Sequence, residues 1–147
     1  MKNKRRVAAV SGGAAALMLV LAPTAEANWS SSITAARPGF ESRRWDDQSY
    51  SQIKFTDCTD NSITGEASYT DVQVWRDISL NPDDSYDKKR FTNCFRGANT
   101  SNGEWTDLPS STVSVYFKIM AVTGATSADF GVHLNVASLS VDTTKAD

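Results

Sequence analysis

The sequence predicts an all-β protein: a small antiparallel β-sandwich, immunoglobulin-like or similar, with one disulfide. Three observations predict it. Apolar residues recur with a period of two in segments rich in β-branched and aromatic types. Turn-forming residues separate these segments, and no stretch carries a helical period. Two cysteines, Cys58 and Cys94, sit near the ends of separate strand candidates in a chain that opens with an export signal. A small barrel would share these features, and the sandwich is the simpler reading.

The elements follow in order. Tyr50 to Phe55 alternates, with Ile53 and Phe55 on one face and Gln52 and Lys54 on the other. Tyr69 to Trp75 sets Val72 and Val74 against Asp71, Gln73 and Trp75. Arg90 to Arg96 carries Phe91 and Phe95 opposite Thr92 and Cys94. Val113, Val115, Phe117 and Ile119 line the clearest strand, and Phe130, Val132, Leu134 and Val136 line another. Beyond Val136 the apolar positions change from even to odd at Leu139 and Val141. One extra residue near Ala137-Ser138 would do this, which predicts a β-bulge. Thr123 to Ala128 is expected to form a hairpin between the two longest strands. Asn81 to Asp84 and Asn99 to Gly103 read as turns.

Residues 1–27 read as a secretory signal peptide. Lys2, Lys4, Arg5 and Arg6 precede an apolar run from Val7 to Ala22, and Ala25-Glu26-Ala27 offers small residues for cleavage. The run is short and glycine-interrupted, so membrane insertion is not expected. Residues 28–40 are small and polar and are expected to form a flexible N-terminal arm, anchored by Trp29, Ile33 and Phe40. Residues 41–147 form the sandwich domain. The expected location is secreted, extracellular. There, Cys58 and Cys94 pair most simply with each other, closing a loop of about 37 residues worth roughly 4 kcal/mol by chain entropy.

Removal of four basic residues and Glu26 takes the chain from 15 basic and 17 acidic residues to 11 and 16, a net charge of −5. That balance argues against nucleic acid, which is held by a basic surplus. It also argues against an anionic membrane surface.

Signals for catalysis are sparse. The one histidine, His133, lies opposite the apolar face of its strand, and no G-x-S-x-G elbow is present. Asp46, Asp47, Asp57, Asp60 and Glu104 could supply a hydrolytic pair only across a cleft that a domain of this size rarely builds. Asp83, Asp84 and Asp87 crowd one turn. Their spacing fits no calcium loop, and Lys88-Lys89-Arg90 follows, which reads as a self-neutralising surface. No enzyme activity, cofactor or metal is therefore expected.

Binding is the remaining class. Trp75 is out of phase with Val72 and Val74, and Trp105 sits in a polar stretch, so both are candidate ligand-binding aromatics. The arm is either a tether or a docking element that would engage a protein partner through Trp29, Ile33, Arg37 and Phe40. The alternatives are a carbohydrate- or cell-wall-binding module using exposed tryptophans, and a secreted protease inhibitor presenting a loop.

With its export signal, arm from Asn28 to Phe40 and compact β domain, the chain resembles in layout the small secreted subunits of Streptomyces umbrella toxin particles. The resemblance implies a non-catalytic adaptor in an extracellular antibacterial complex. It would link a lectin-bearing, trypsin-like subunit to a large toxin subunit, with the arm entering the cleft of the former.

Overall fold

The structure, a computed structural model, describes residues 28–144. The signal peptide read at 1–27 lies outside the described residues, as do residues 145–147.

Eight strands form two four-stranded antiparallel sheets: β1 (Trp29–Ala36), β2 (Trp45–Asp47), β3 (Ser51–Asp60), β4 (Thr70–Arg76), β5 (Asp84–Phe91), β6 (Thr100–Trp105), β7 (Val113–Val122) and β8 (Leu134–Asp142). One sheet runs β1-β8-β3-β6 and the other β2-β7-β4-β5. The expected sandwich is present. Within it the chain passes repeatedly from sheet to sheet, the winding of a jelly roll rather than of an immunoglobulin domain. Among the described strands β4 and β5 are the only hydrogen-bonded neighbours that are also consecutive in sequence.

The core is made by the predicted period-two faces. Ile53, Phe55, Val72, Val74, Val115, Phe117, Ile119 and Leu134 are fully enclosed between the sheets. Phe55 meets Phe91 and Phe117 edge-on, with centroids 5.0 and 5.8 Å apart, the geometry favoured by the ring quadrupole. The phase change in β8 is real. Against β1 the register slips between Ser31–Leu139 and Ile33–Val136, leaving Ala137 and Ser138 exposed.

Four expectations are corrected. Residues 28–40 are not a flexible arm: β1 is an edge strand of the first sheet, paired with β8 from Trp29–Val141 to Ala36–Leu134. Ile33 and Ala36 are inward-facing core residues that hold it there. The chain then crosses to the second sheet, where Gly39 N–H donates to the Ile119 carbonyl at 2.7 Å. The strand read over Arg90 to Arg96 stops at Phe91, because Asn93–Phe95 turn as a short 3-10 segment. Thr123 to Ala128 is no hairpin, since β7 and β8 belong to different sheets. Finally, the turn expected over Asn99 to Gly103 is strand β6. Its inward residues are Ser101, Gly103 and Trp105, so small side chains conceal a regular alternation. Gly103 is required by close approach. A Cβ there would stand 2.7 Å from a ring carbon of the buried Phe91.

Cys58 and Cys94 are bonded. Cys58 lies in β3 of the first sheet and Cys94 in the 3-10 turn that carries the chain from β5 back to β6. The bond therefore fastens a crossing between the sheets, and the buried Cys94 N–H donates to Ser101 Oγ at 2.9 Å.

Candidate functional site

The tryptophans singled out from sequence are mostly structural. Trp105 is not a loop residue offered to a ligand; it is 1% exposed. Its indole N–H donates to the Asp87 carbonyl of β5 at 2.7 Å, so a side chain of one sheet ties down the edge of the other. Trp75 does lie outside the main core face, as its phase predicted. Its ring is half-buried, however, with the Lys118 ammonium 4.5 Å from the centroid, and its indole N–H is buried without a partner. The face that the cation covers is not open to a sugar.

Of the residues proposed for the arm, Ile33 is buried in the core and is unavailable to a partner. Trp29 packs against Trp45 with centroids 5.8 Å apart, and Arg43 covers its ring at 4.1 Å. Arg37 is exposed where the chain leaves β1, and Phe40 is 38% exposed against Phe117. These four do not converge on one surface.

The outer face of the second sheet carries a layer of paired charges. Lys118 Nζ pairs with Glu41 at 3.0 Å, and Arg44 pairs with both Glu41 and Asp77. Arg90 makes two hydrogen bonds to Asp71, at 2.8 and 3.0 Å, while stacking over Tyr69. The Tyr116 hydroxyl donates to Asp83 at 2.6 Å. That bond and the Ile78 N–H hold the Asp83 carboxyl below the usual carboxylate range. Burial and the same carboxylate push the Tyr116 phenol upward. Asp47 is shifted the other way: burial raises its carboxyl, against hydrogen bonds from the Trp45 indole and the Gln48 N–H. Among the described residues no three His, Cys, Asp or Glu side chains converge to hold a metal.

The surface left unsatisfied is at one end of the sandwich, where β3 and β7 finish. A hollow of about 510 Å³ opens between the β3–β4 connection and the β7–β8 crossing. Ile63 and Phe130 stand on its rim, 98% and 68% exposed, and Ala125 and Val132 form its floor. Phe130, expected on a core-facing strand, instead ends a 3-10 turn, Ala128–Phe130, outside the core. His133 flanks this end, with its backbone N–H donating to the Asn61 side chain at 2.7 Å. The lining carries one carboxylate, Glu66, and no Lys or Arg.

This end is held in shape. Val122 and Ala125 exchange backbone hydrogen bonds at 2.9 Å around Thr123 and Gly124, both at positive φ. A β-branched residue there is strained. Thr123 is fixed by its hydroxyl, which donates to Asp60 at 2.5 Å and accepts from the Tyr69 N–H at 3.2 Å. The wall of the hollow is thus pinned to the opposite sheet. Ile63 is not among the candidate site residues that the sequence offers. Its signal was a lone large apolar residue within Asn61-Ser62-Ile63-Thr64-Gly65, a stretch with no strand period to bury it. An open, pinned concavity with apolar side chains turned outward can seat an apolar group of a partner.

No known protein family, curated protein or solved structure matches the chain.

Proposed function

We propose that this chain is a secreted, non-catalytic protein-binding adaptor, a small subunit of an extracellular antibacterial assembly of the umbrella-toxin kind. The observation that carries the binding reading is the pair Ile63 and Phe130, turned to solvent beside a hollow whose wall is fixed. Two large apolar side chains exposed together are unfavourable in a free monomer and become favourable once a partner covers them. The surface is suited to an apolar side chain followed by a cation, because Glu66 is the only charged group in the lining. The setting outside the cell and the partners, a lectin-bearing trypsin-like subunit and a large toxin, rest on the sequence layout. The carbohydrate reading is weakened by the burial of Trp105 and the capping of Trp75.

The test is recovery of the tagged protein from the medium of the producing organism. A stoichiometric protein partner is expected, and it should be lost in Ile63→Asp and Phe130→Asp variants whose circular dichroism is unchanged. Elution of the native protein only as a free monomer of about 13 kDa, the mass of one small domain, would refute the proposal. So would retention of the partner by both variants.

A further inference from the structure

The opposite end of the sandwich carries a second exposed apolar feature. Residues 77–83 link β4 to β5 in the one hairpin among the described strands, and Leu80 stands at its tip, 104% exposed. Its φ is +65°, in the left-handed region where a leucine is strained. No packing accounts for this choice, since the side chain is wholly in solvent. Glycine or asparagine would suit the backbone better.

The hairpin around it is fastened at both ends. Asp83 accepts from the Ile78 N–H at 3.0 Å and from the Tyr116 hydroxyl at 2.6 Å. Asp77 N–H donates to the Ser114 carbonyl at 2.9 Å, and the Asp77 carboxylate pairs with Arg44. Asn81 N–H donates back to the Ile78 carbonyl at 3.3 Å, closing the turn. A large apolar side chain is therefore held out on a braced loop, an arrangement that reduces the ordering cost of binding.

We propose that the β4–β5 tip is a second docking element, with Leu80 as a preformed knob for an apolar socket rimmed by Lys or Arg on another protein. Charge argues for the basic rim. Three carboxylates, Asp77, Asp83 and Asp84, stand beside the tip against two guanidiniums, Arg44, which pairs with Asp77, and Arg76, across from Asp84, so the tip stays net negative, with Asp84 exposed. Charge also argues against a second copy as occupant. The hollow at the far end is lined by a carboxylate and no cation, so knob and hollow of two copies would oppose like charges. The left-handed turn is unlike the extended segment a protease cleft holds, so the knob is not a substrate mimic. The inference goes beyond the proposed function and needs nothing from the hollow. The two features are separated by the seven residues of β4, about 23 Å, far enough for two partners to be held at once.

The test places a photoreactive phenylalanine at position 80 of the full secreted protein, with the same group at exposed Ala98 as control. Irradiation in the producing organism's medium should cross-link position 80 to one protein. Peptide mapping should locate the bond among apolar residues flanked by Lys or Arg. The purified partner should bind Leu80→Asp about tenfold to a hundredfold more weakly than the native protein. Leu80→Met should bind within about tenfold. Leu80→Gly should unfold at a higher temperature yet bind more weakly, a pairing that a purely structural turn residue would not produce. Cross-links no more frequent than at Ala98, a bond to another copy of the chain, or equal binding by Leu80→Asp would each overturn the inference. Any of these with the Ile63-dependent complex intact overturns the knob alone.

Discussion

Gly103→Ala is expected to destabilise the domain by about 1–2 kcal/mol. The added Cβ would stand 2.7 and 2.9 Å from two ring carbons of Phe91 and 3.0 Å from a ring carbon of Trp105. None of these atoms is the end of a flexible chain. Phe91 is 1% exposed and edge-packed on Phe55, and Trp105 is held by its bond to the Asp87 carbonyl. Overpacking of this kind costs about 1–3 kcal/mol, while the reduced freedom of the unfolded chain returns about 0.4–1 kcal/mol. For a domain of roughly 120 residues the net corresponds to a fall in Tm of about 4–8 °C, measurable by calorimetry. A double-mutant cycle with Phe91→Leu isolates the contact. If the clash is with the Phe91 ring, the double variant should be more stable than the sum of the single effects by at least about 0.5 kcal/mol. A Tm for Gly103→Ala at or above the native value would refute the reasoning, as would simple additivity.

Replacing both Cys58 and Cys94 by Ser should remove roughly 4 kcal/mol in urea titrations, and a loss under about 1 kcal/mol would show that the bond adds little to the packing already present. The Asp83 carboxyl has its folded pKa below the unfolded value, so its contribution to stability is present above the unfolded pKa and is lost as pH falls through the folded one. Tyr116→Phe should flatten the fall in stability below about pH 4, and an unchanged acid limb would remove the hydroxyl as the cause.

The core was legible where inward positions are large and apolar. Val113, Val115, Phe117 and Ile119 announce β7, and the shift from Val136 to Leu139 announces the bulge in β8, because period and phase are properties of a single strand. Strand pairing is not. β7 and β8 read as a hairpin because they are adjacent in sequence, yet they sit in different sheets. β1 was hidden for another reason. Its outward face is serine and threonine and only Ile33 and Ala36 bury firmly, so its strand character comes from pairing with β8 rather than from its own composition. The candidate docking residues escaped for the converse reason. Ile63, Leu80 and Phe130 look like ordinary core residues, and only their placement on connections between strands turns them outward.

The pairing of β1 with β8 joins the beginning of the described chain to its end. β8 lies between β1 and β3, so it is an interior strand of its sheet although it comes last in sequence. A chain released before Leu134 would leave β1 without a neighbour and β3 with one bare edge. Incomplete copies emerging from synthesis would therefore lack not a dispensable tail but the middle of a sheet. Closure of the first sheet waits for the last of the described strands.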